Sequence, residues 1–235
     1  MPVVIFLPFA GGGASVFRGW VEHVAGRFDL LAVQLPGREE RFVEEPLADV
    51  ASAADDALVQ IRRNIPVGER VAVFGHSLGA ALAFEVARRL EAGGQYELLQ
   101  VFASGAPGPW NGRQEHATGL DDDAFLLQVK RFAGYDHPAL AVPEMRELLL
   151  PMLRADVRMH EEYAPVDRTP LRAPVVALRG DADDLVTAEQ AGQWAQATLS
   201  SFVSHELAGG HMYLVDHPAA VVDLVAGELD RALTR

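Results

Sequence analysis

A serine between glycines, an aspartate in a loop and a histidine behind a glycine pair are the side chains best suited to do chemistry together in this sequence. The serine is Ser77, within Gly75-His76-Ser77-Leu78-Gly79. A G-x-S-x-G stretch makes physical sense on a strained strand-to-helix bend, where any side chain at 75 or 79 would collide with the neighbouring strand or helix. Such a bend lifts the Ser77 hydroxyl above a sheet, leaves the Leu78 N–H free and sets both at the positive end of a helix. A serine hydroxyl is a poor nucleophile near neutral pH, so it needs a base within reach and a third group to orient that base. Asp183 lies in Gly180-Asp181-Ala182-Asp183-Asp184-Leu185-Val186, and His211 follows Gly209-Gly210. Serine, then aspartate, then histidine is the chain order expected with such a turn.

Neighbouring residues offer competitors. Asp183 is preferred to Asp181 and Asp184 by the G-x-x-D-x-x-V spacing from Gly180 to Val186. Among the eight histidines, His211 is preferred because two glycines let its loop bend sharply. His205 falls in a strand pattern, His217 precedes a proline at a helix start, and His76 flanks the serine. The spacing of His205, His211 and His217 matches no metal-ligand motif, so no metal is expected. The chemistry predicted is a two-step acyl transfer: His211 deprotonates Ser77, Asp183 steadies the charged histidine, and two backbone N–H groups hold the oxyanion. One donor is Leu78. The other comes from Pro8-Phe9-Ala10-Gly11-Gly12-Gly13-Ala14-Ser15, a glycine-rich loop without the spacing of a dinucleotide fingerprint or a P-loop. By position the second donor is Ala10, with Phe9 less favoured.

These groups need a sheet whose strand ends present them. Met1 to Leu7 reads as the first strand and Leu30 to Leu35 as the second, with a helix over Val16 to Gly26 between them. Val50 to Arg63 carries Ala54, Ala57, Leu58 and Ile61 at helical spacing. Arg70 to Arg89 joins an apolar strand to a helix through the serine turn, and Gly93-Gly94 ends that helix. Leu98 to Ala103, Pro174 to Arg179 and Phe202 to Leu207 read as further strands, with helices near Ala188 to Thr198 and Pro218 to Leu233. Between about residues 120 and 163 the alternation of strand and helix lapses. Phe125, Leu126, Val129 and Phe132 make one apolar helical face there, and Met145, Leu148, Leu149, Met152, Leu153 and Val157 make another, with Pro151 expected to kink it. This stretch reads as a helical insertion covering a pocket.

A chain of 235 residues with 49% hydrophobic content is expected to form one α/β domain over residues 1–235. No apolar run approaches the ~20 residues of a membrane span, and no leader pattern is present, so a soluble cytoplasmic protein is expected. Without cysteine there is no disulfide or thiolate metal site. A net charge of −13 argues against nucleic acid as a partner. Lys130 is the only lysine, and Arg38, Arg41, Arg113 and Arg131 are candidates for contacting a phosphate or an acidic partner.

Taken together, LPFAGGGAS at the first turn, QLPGREER after the second strand, FGHSLGAALAFEVARRL, LLLPMLRADVRMHEEY and GGHMYL resemble the stand-alone type II thioesterases of polyketide and nonribosomal peptide synthetases. The nucleophile stretch is shared with lipases and esterases, whereas PGREER and LPMLRAD are more selective. The resemblance implies an α/β-hydrolase fold, a mostly parallel central sheet flanked by helices with an inserted helical lid. It also implies Ser77, Asp183 and His211 as the triad, with Ala10 and Leu78 as oxyanion donors. The implied task is hydrolysis of acyl groups from the phosphopantetheine arm of carrier proteins, clearing stalled synthetases. No cofactor beyond that substrate-borne arm is implied, and a monomer is expected. Phe9 departs from the histidine or tyrosine often found in the first turn. The alternatives are a general carboxylesterase or lipase and a non-catalytic carrier-binding module.

Overall fold

Alternation along the strands decides the layers. In β1 (Val3–Leu7), Ile5 and Leu7 join one apolar cluster while Val4 and Phe6 join another on the opposite face. The same split runs through β3 (Arg70–His76), where Val71 and Val73 oppose Ala72 and Phe74, and β5 (Val175–Gly180), where Val175 and Ala177 oppose Val176 and Leu178. Strands apolar on both faces belong to a parallel sheet with helices on either side. The computed structural model, which describes residues 1–112, 116–133 and 138–234, has that form. With β2 (Asp29–Ala32), β4 (Glu97–Ser104) and β6 (Phe202–Leu207), the six strands are all parallel, in the order β2-β1-β3-β4-β5-β6.

The helices are α1 (Val21–Val24), α2 (Val50–Asn64), α3 (Leu78–Gly93), α4 (Asp122–Ala133), α5 (Pro143–Glu161), α6 (Ala188–Gly192), α7 (Tyr213–Asp216) and α8 (Pro218–Leu233). On one face α3 is buried between the sheet and α2, through Ala80, Leu82, Ala83, Phe84 and Ala87. Alanine and leucine make it a strong helix former, and Gly94 ends it in the left-handed region at φ 60°. Asp49 caps α2 by accepting from the Ser52 N–H at 2.8 Å. On the other face Val221, Val222 and Val225 of α8 pack with Trp20 and Val24 against the sheet.

Several boundaries differ from the sequence reading. The stretch from Ala14 to Trp20 is a 3₁₀ turn rather than regular helix, with only α1 beyond it, and a second such turn over Gln193–Ala197 completes α6. α5 runs through Pro151, which faces solvent. Met152, Leu153 and Val157 are buried as the spacing predicts, but Met145 and Leu148 are exposed, and Leu150 takes their place inside. Arg113 and the side chain of Phe132 lie outside the described residues.

The insertion occupies the connection from β4 to β5. Ala117, Phe125 of α4, and Leu150, Leu153 and Val157 of α5 form a small core of their own, against which Ala10 and Leu185 pack. The inserted helices therefore rest on the loops that follow β1 and β5, at the carboxyl ends of the strands, where open α/β sheets place their ligands.

Candidate active site

Ser77 follows the last residue of β3 and adopts φ 56°, ψ −116°, a conformation costly for any residue with a side chain. The flanking glycines explain how the turn closes. A Cβ on Gly75 would lie 1.7 Å from the Gly79 carbonyl oxygen, and one on Gly79 would lie 2.4 Å from that of Leu7. The turn is held by the Ser77 N–H donating to the Ser104 carbonyl at 2.8 Å and by the Ala80 N–H donating to the Ser77 carbonyl at 2.9 Å. Ser77 is only 7% exposed. Its hydroxyl has no hydrogen-bond partner among the described residues, and serine–histidine contacts of this kind commonly tighten only when substrate binds.

Asp183 and His211 are brought together, with His211 Nδ1 2.8 Å from Asp183 Oδ2. The other carboxylate oxygen accepts the N–H groups of Leu185 and Val186 at 2.9 and 3.1 Å. Burial works against charge on Asp183, but the His211 hydrogen bond and charge and those two N–H groups outweigh it and hold the carboxyl below its usual range. The two neighbouring acids are elsewhere: Asp181 accepts from the Gly209 N–H at 2.9 Å, bracing the histidine loop, and Asp184 is exposed. Arg179, unmarked in the sequence reading, is buried beneath the acid loop. It donates to the carbonyls of Val186 at 2.9 Å and Asp183 at 3.2 Å.

His76 lies behind His211, with ring centroids 4.8 Å apart. Its Nδ1 is 2.8 Å from Ser104 Oγ, which lies 2.6 Å from the Tyr213 hydroxyl. Burial, reinforced by nearby His211 and His160, drives the His76 pKa well below its ordinary value, so the ring is neutral. Phe9 meets His76 edge-on at 6.1 Å, so a ring without polar atoms occupies the divergent position. His205 pairs with Glu228 at 2.6 Å, away from this cluster.

On the far side is the glycine-rich loop. The Gly12 N–H donates to the Phe9 carbonyl at 2.9 Å, closing a four-residue turn with Gly11 at φ +79°. Arg38 and Asp156 grip it from outside. Asp156 Oδ2 accepts from the Gly11 N–H at 2.8 Å and from Arg38 Nη1 at 2.5 Å, while Asp156 Oδ1 accepts from Arg38 Nη2 at 2.7 Å. Arg38 also donates to the Gly12 carbonyl at 3.0 Å. With Arg38 5% exposed and Asp156 fully buried, Arg38 is not available for the contact with a phosphate or an acidic partner for which it was a candidate. Arg41 is likewise committed, to Asp56 and Glu44. Of the arginines proposed for partner contact, Arg131 remains exposed, 3.2 Å from Gln128.

Residues 2–229 match the Thioesterase domain family. The chain belongs to that family. Thioesterase PikA5 of Streptomyces venezuelae is 38% identical over 215 residues, covering 91% of this chain and 75% of that protein. The type II thioesterase BorB from the borrelidin biosynthetic cluster superposes with a TM-score of 0.87 at 36% identity, over 97% of this chain and 92% of that one. RedJ, a thioesterase from the prodiginine biosynthetic pathway in Streptomyces coelicolor, gives a TM-score of 0.86 at 31% identity, over 97% and 85%. The α/β-hydrolase architecture of this thioesterase agrees with the sequence reading, as does its likeness to enzymes of polyketide and nonribosomal peptide pathways. Among the described residues of the thioesterase, no helix is long and apolar enough to cross a membrane.

Proposed function

We propose that this thioesterase hydrolyses acyl groups from the phosphopantetheine arm of carrier proteins, clearing stalled or wrongly primed chains in polyketide or nonribosomal peptide biosynthesis. The observation that carries the reading is the buried Asp183–His211 pair at 2.8 Å, presented at strand ends like the strained Ser77, whose hydroxyl has no partner among the described residues. Ser77 attacks the thioester carbonyl as His211 takes its proton. The N–H groups of Leu78 and Ala10 hold the oxyanion, and the thiol of the arm leaves with that proton. Water activated by the same histidine then attacks the acyl-serine, releasing the acid and restoring Ser77. Asp183 stays ionised throughout and stabilises the imidazolium. The reaction so written uses no metal or cofactor of the enzyme's own. The protein acts in the cytoplasm as a monomer, with the α4–α5 insertion as a lid over the acyl chamber.

Release of radiolabelled acetyl, propionyl and longer acyl groups from loaded carrier protein tests the reading, run beside matching small-molecule esters and Ser77→Ala. Fast release from the carrier with little ester turnover, abolished in Ser77→Ala, is expected. Ester turnover with inert carrier thioesters would replace the reading with a general esterase.

A further inference from the structure

We propose that Asp156, carried by α5 of the insertion and paired with Arg38, is a positioning residue for the oxyanion hole. It fixes the Gly11 peptide and, through it, the direction of the Ala10 N–H. The inference rests on Ala10 being an oxyanion donor, as read above.

Three peptides of the loop, Phe9–Ala10, Ala10–Gly11 and Gly12–Gly13, are constrained in different ways. The Phe9 carbonyl belongs to the same planar trans peptide as the Ala10 N–H, so where one points the other points oppositely. That carbonyl is fixed by the Gly12 N–H at 2.9 Å. That bond is a single contact shared by both forms of the turn, so the Phe9–Ala10 peptide is only as well held as the turn as a whole. A turn with φ > 0 at its third residue is one of two arrangements that interconvert by rotation of the central peptide, here Ala10–Gly11. With glycine at 11, 12 and 13 the chain has little preference of its own. Asp156 supplies one: its carboxylate accepts the Gly11 N–H, and a rotated peptide would present a carbonyl to that carboxylate instead. Arg38 holds the Gly12–Gly13 peptide by donating to the Gly12 carbonyl.

The pairing also answers an electrostatic objection. A bare carboxylate beside an oxyanion hole would oppose the charge that develops there. Both Asp156 oxygens are engaged by the Arg38 fork, so the buried unit is neutral overall while its geometry stays rigid. Leu153, one turn before Asp156 on the same helix, presses on the loop as well: a Cβ on Gly11 would sit 2.9 Å from its Cδ1. The insertion therefore completes the oxyanion loop in addition to covering it. PGREER and LPMLRAD each contribute one half of this clamp.

The test compares Asp156→Asn, Asp156→Ala and the double variant R38M/D156L on an acyl thioester substrate, with Tm measured for each. A second readout is inhibition by an alkyl trifluoromethyl ketone, whose serine adduct bears an oxyanion. Asp156→Ala is expected to lower kcat about 100-fold, the scale of a misplaced reacting group, with KM within about twofold. Ketone affinity should fall by the same factor as kcat. The double variant replaces the buried charges by apolar groups of similar size, which restores Tm but leaves Gly11 unheld, so the kcat deficit should persist. Should Asp156→Ala fail to fold, the double variant and the near-isosteric Asp156→Asn carry the comparison. Recovery of kcat with Tm in the double variant, or a fall in kcat with ketone affinity unchanged, would overturn the positioning role alone. A wild-type enzyme that binds the trifluoromethyl ketone no better than the matching methyl ketone would overturn the oxyanion reading as well.

Discussion

The serine turn and the glycine-rich loop face each other across the site and are built in opposite ways. At Ser77 the constraint is steric and made by backbone atoms. Gly75 fits only because Gly79 approaches it, Gly79 only because Leu7 does, and no side chain beyond the turn is needed to hold its shape. At Ala10 to Gly13 the constraint is polar and distant: the Gly12 carbonyl is held by a residue 26 positions away and the Gly11 N–H by one 145 positions away. The turn thus resists change of size, and the loop resists change of charge and hydrogen bonding. The acid and base loops are held by polar contacts too, a local one through Arg179 under Asp183 and a distant one through Asp181 under Gly209.

If that division holds, a polar contact can be removed without altering shape, at great cost to rate. Asp183→Asn keeps the volume of the side chain but permits the wrong histidine tautomer, so kcat should fall about 10⁴-fold in a protein that still folds. Steady-state kinetics beside circular dichroism checks this; a loss under tenfold would mean the pair is not part of the machinery. The stability side has a definite sign. Because Asp183 is held below its usual range when folded, its contribution is present above about pH 4 and is lost as pH falls through the folded value. The Asn variant should lack that acid-side loss.

The same division explains what could be read from the sequence. Glycines 75 and 79, the apolar strands and the alanine-rich helix α3 obey rules of neighbouring residues, and strand β6 and helix α8 fall where their pattern puts them. Asp183 was separable from Asp181 and Asp184 because turn spacing is local too. Arg38 was read as a candidate for contacting a phosphate or an acidic partner because its own partner lies 118 residues away, and an arginine's spacing carries no mark of burial. PGREER and LPMLRAD stood out as selective segments, yet nothing in either one says that they meet. The Ser104–Tyr213 contact was missed for the same reason, Arg179 because an arginine's spacing does not mark burial, and the 3₁₀ turns because they share helix composition and differ only in hydrogen-bond closure.

Steric locking can be broken by one methyl group. Gly79→Ala would set a Cβ 2.4 Å from the Leu7 carbonyl oxygen, which is strand backbone and cannot move aside. Destabilisation of about 4 kcal/mol or more is expected, roughly 10 °C in Tm for a protein of this size. Gly93→Ala, near the end of α3, meets nothing within 4 Å and serves as the control. It should be neutral or slightly stabilising, since alanine restricts the unfolded chain. Similar Tm values for the two variants would show that the serine turn is not closed by contact.

His76 belongs to both regions. It sits within the serine turn, yet Ser104 and Tyr213 hold its Nδ1 side, and its Nε2 is buried without a partner among the described residues. A protonated ring would need an acceptor for that second N–H, which its surroundings do not offer, in keeping with a folded-state pKa well below 6.5. The sign follows from proton counting: below pH 6.5 the unfolded chain binds a proton that the folded chain refuses, so stability falls as pH falls. The slope is about 1.4 kcal/mol per pH unit for as long as the folded ring stays neutral. Urea unfolding of the wild type should therefore show stability falling between pH 7 and pH 5 on this account. His76→Asn removes the titrating ring, and its curve should be flatter over that window by about one proton. Equal slopes would mean that the pocket admits a charged ring, and that the turn around Ser77 is governed by polar contacts after all.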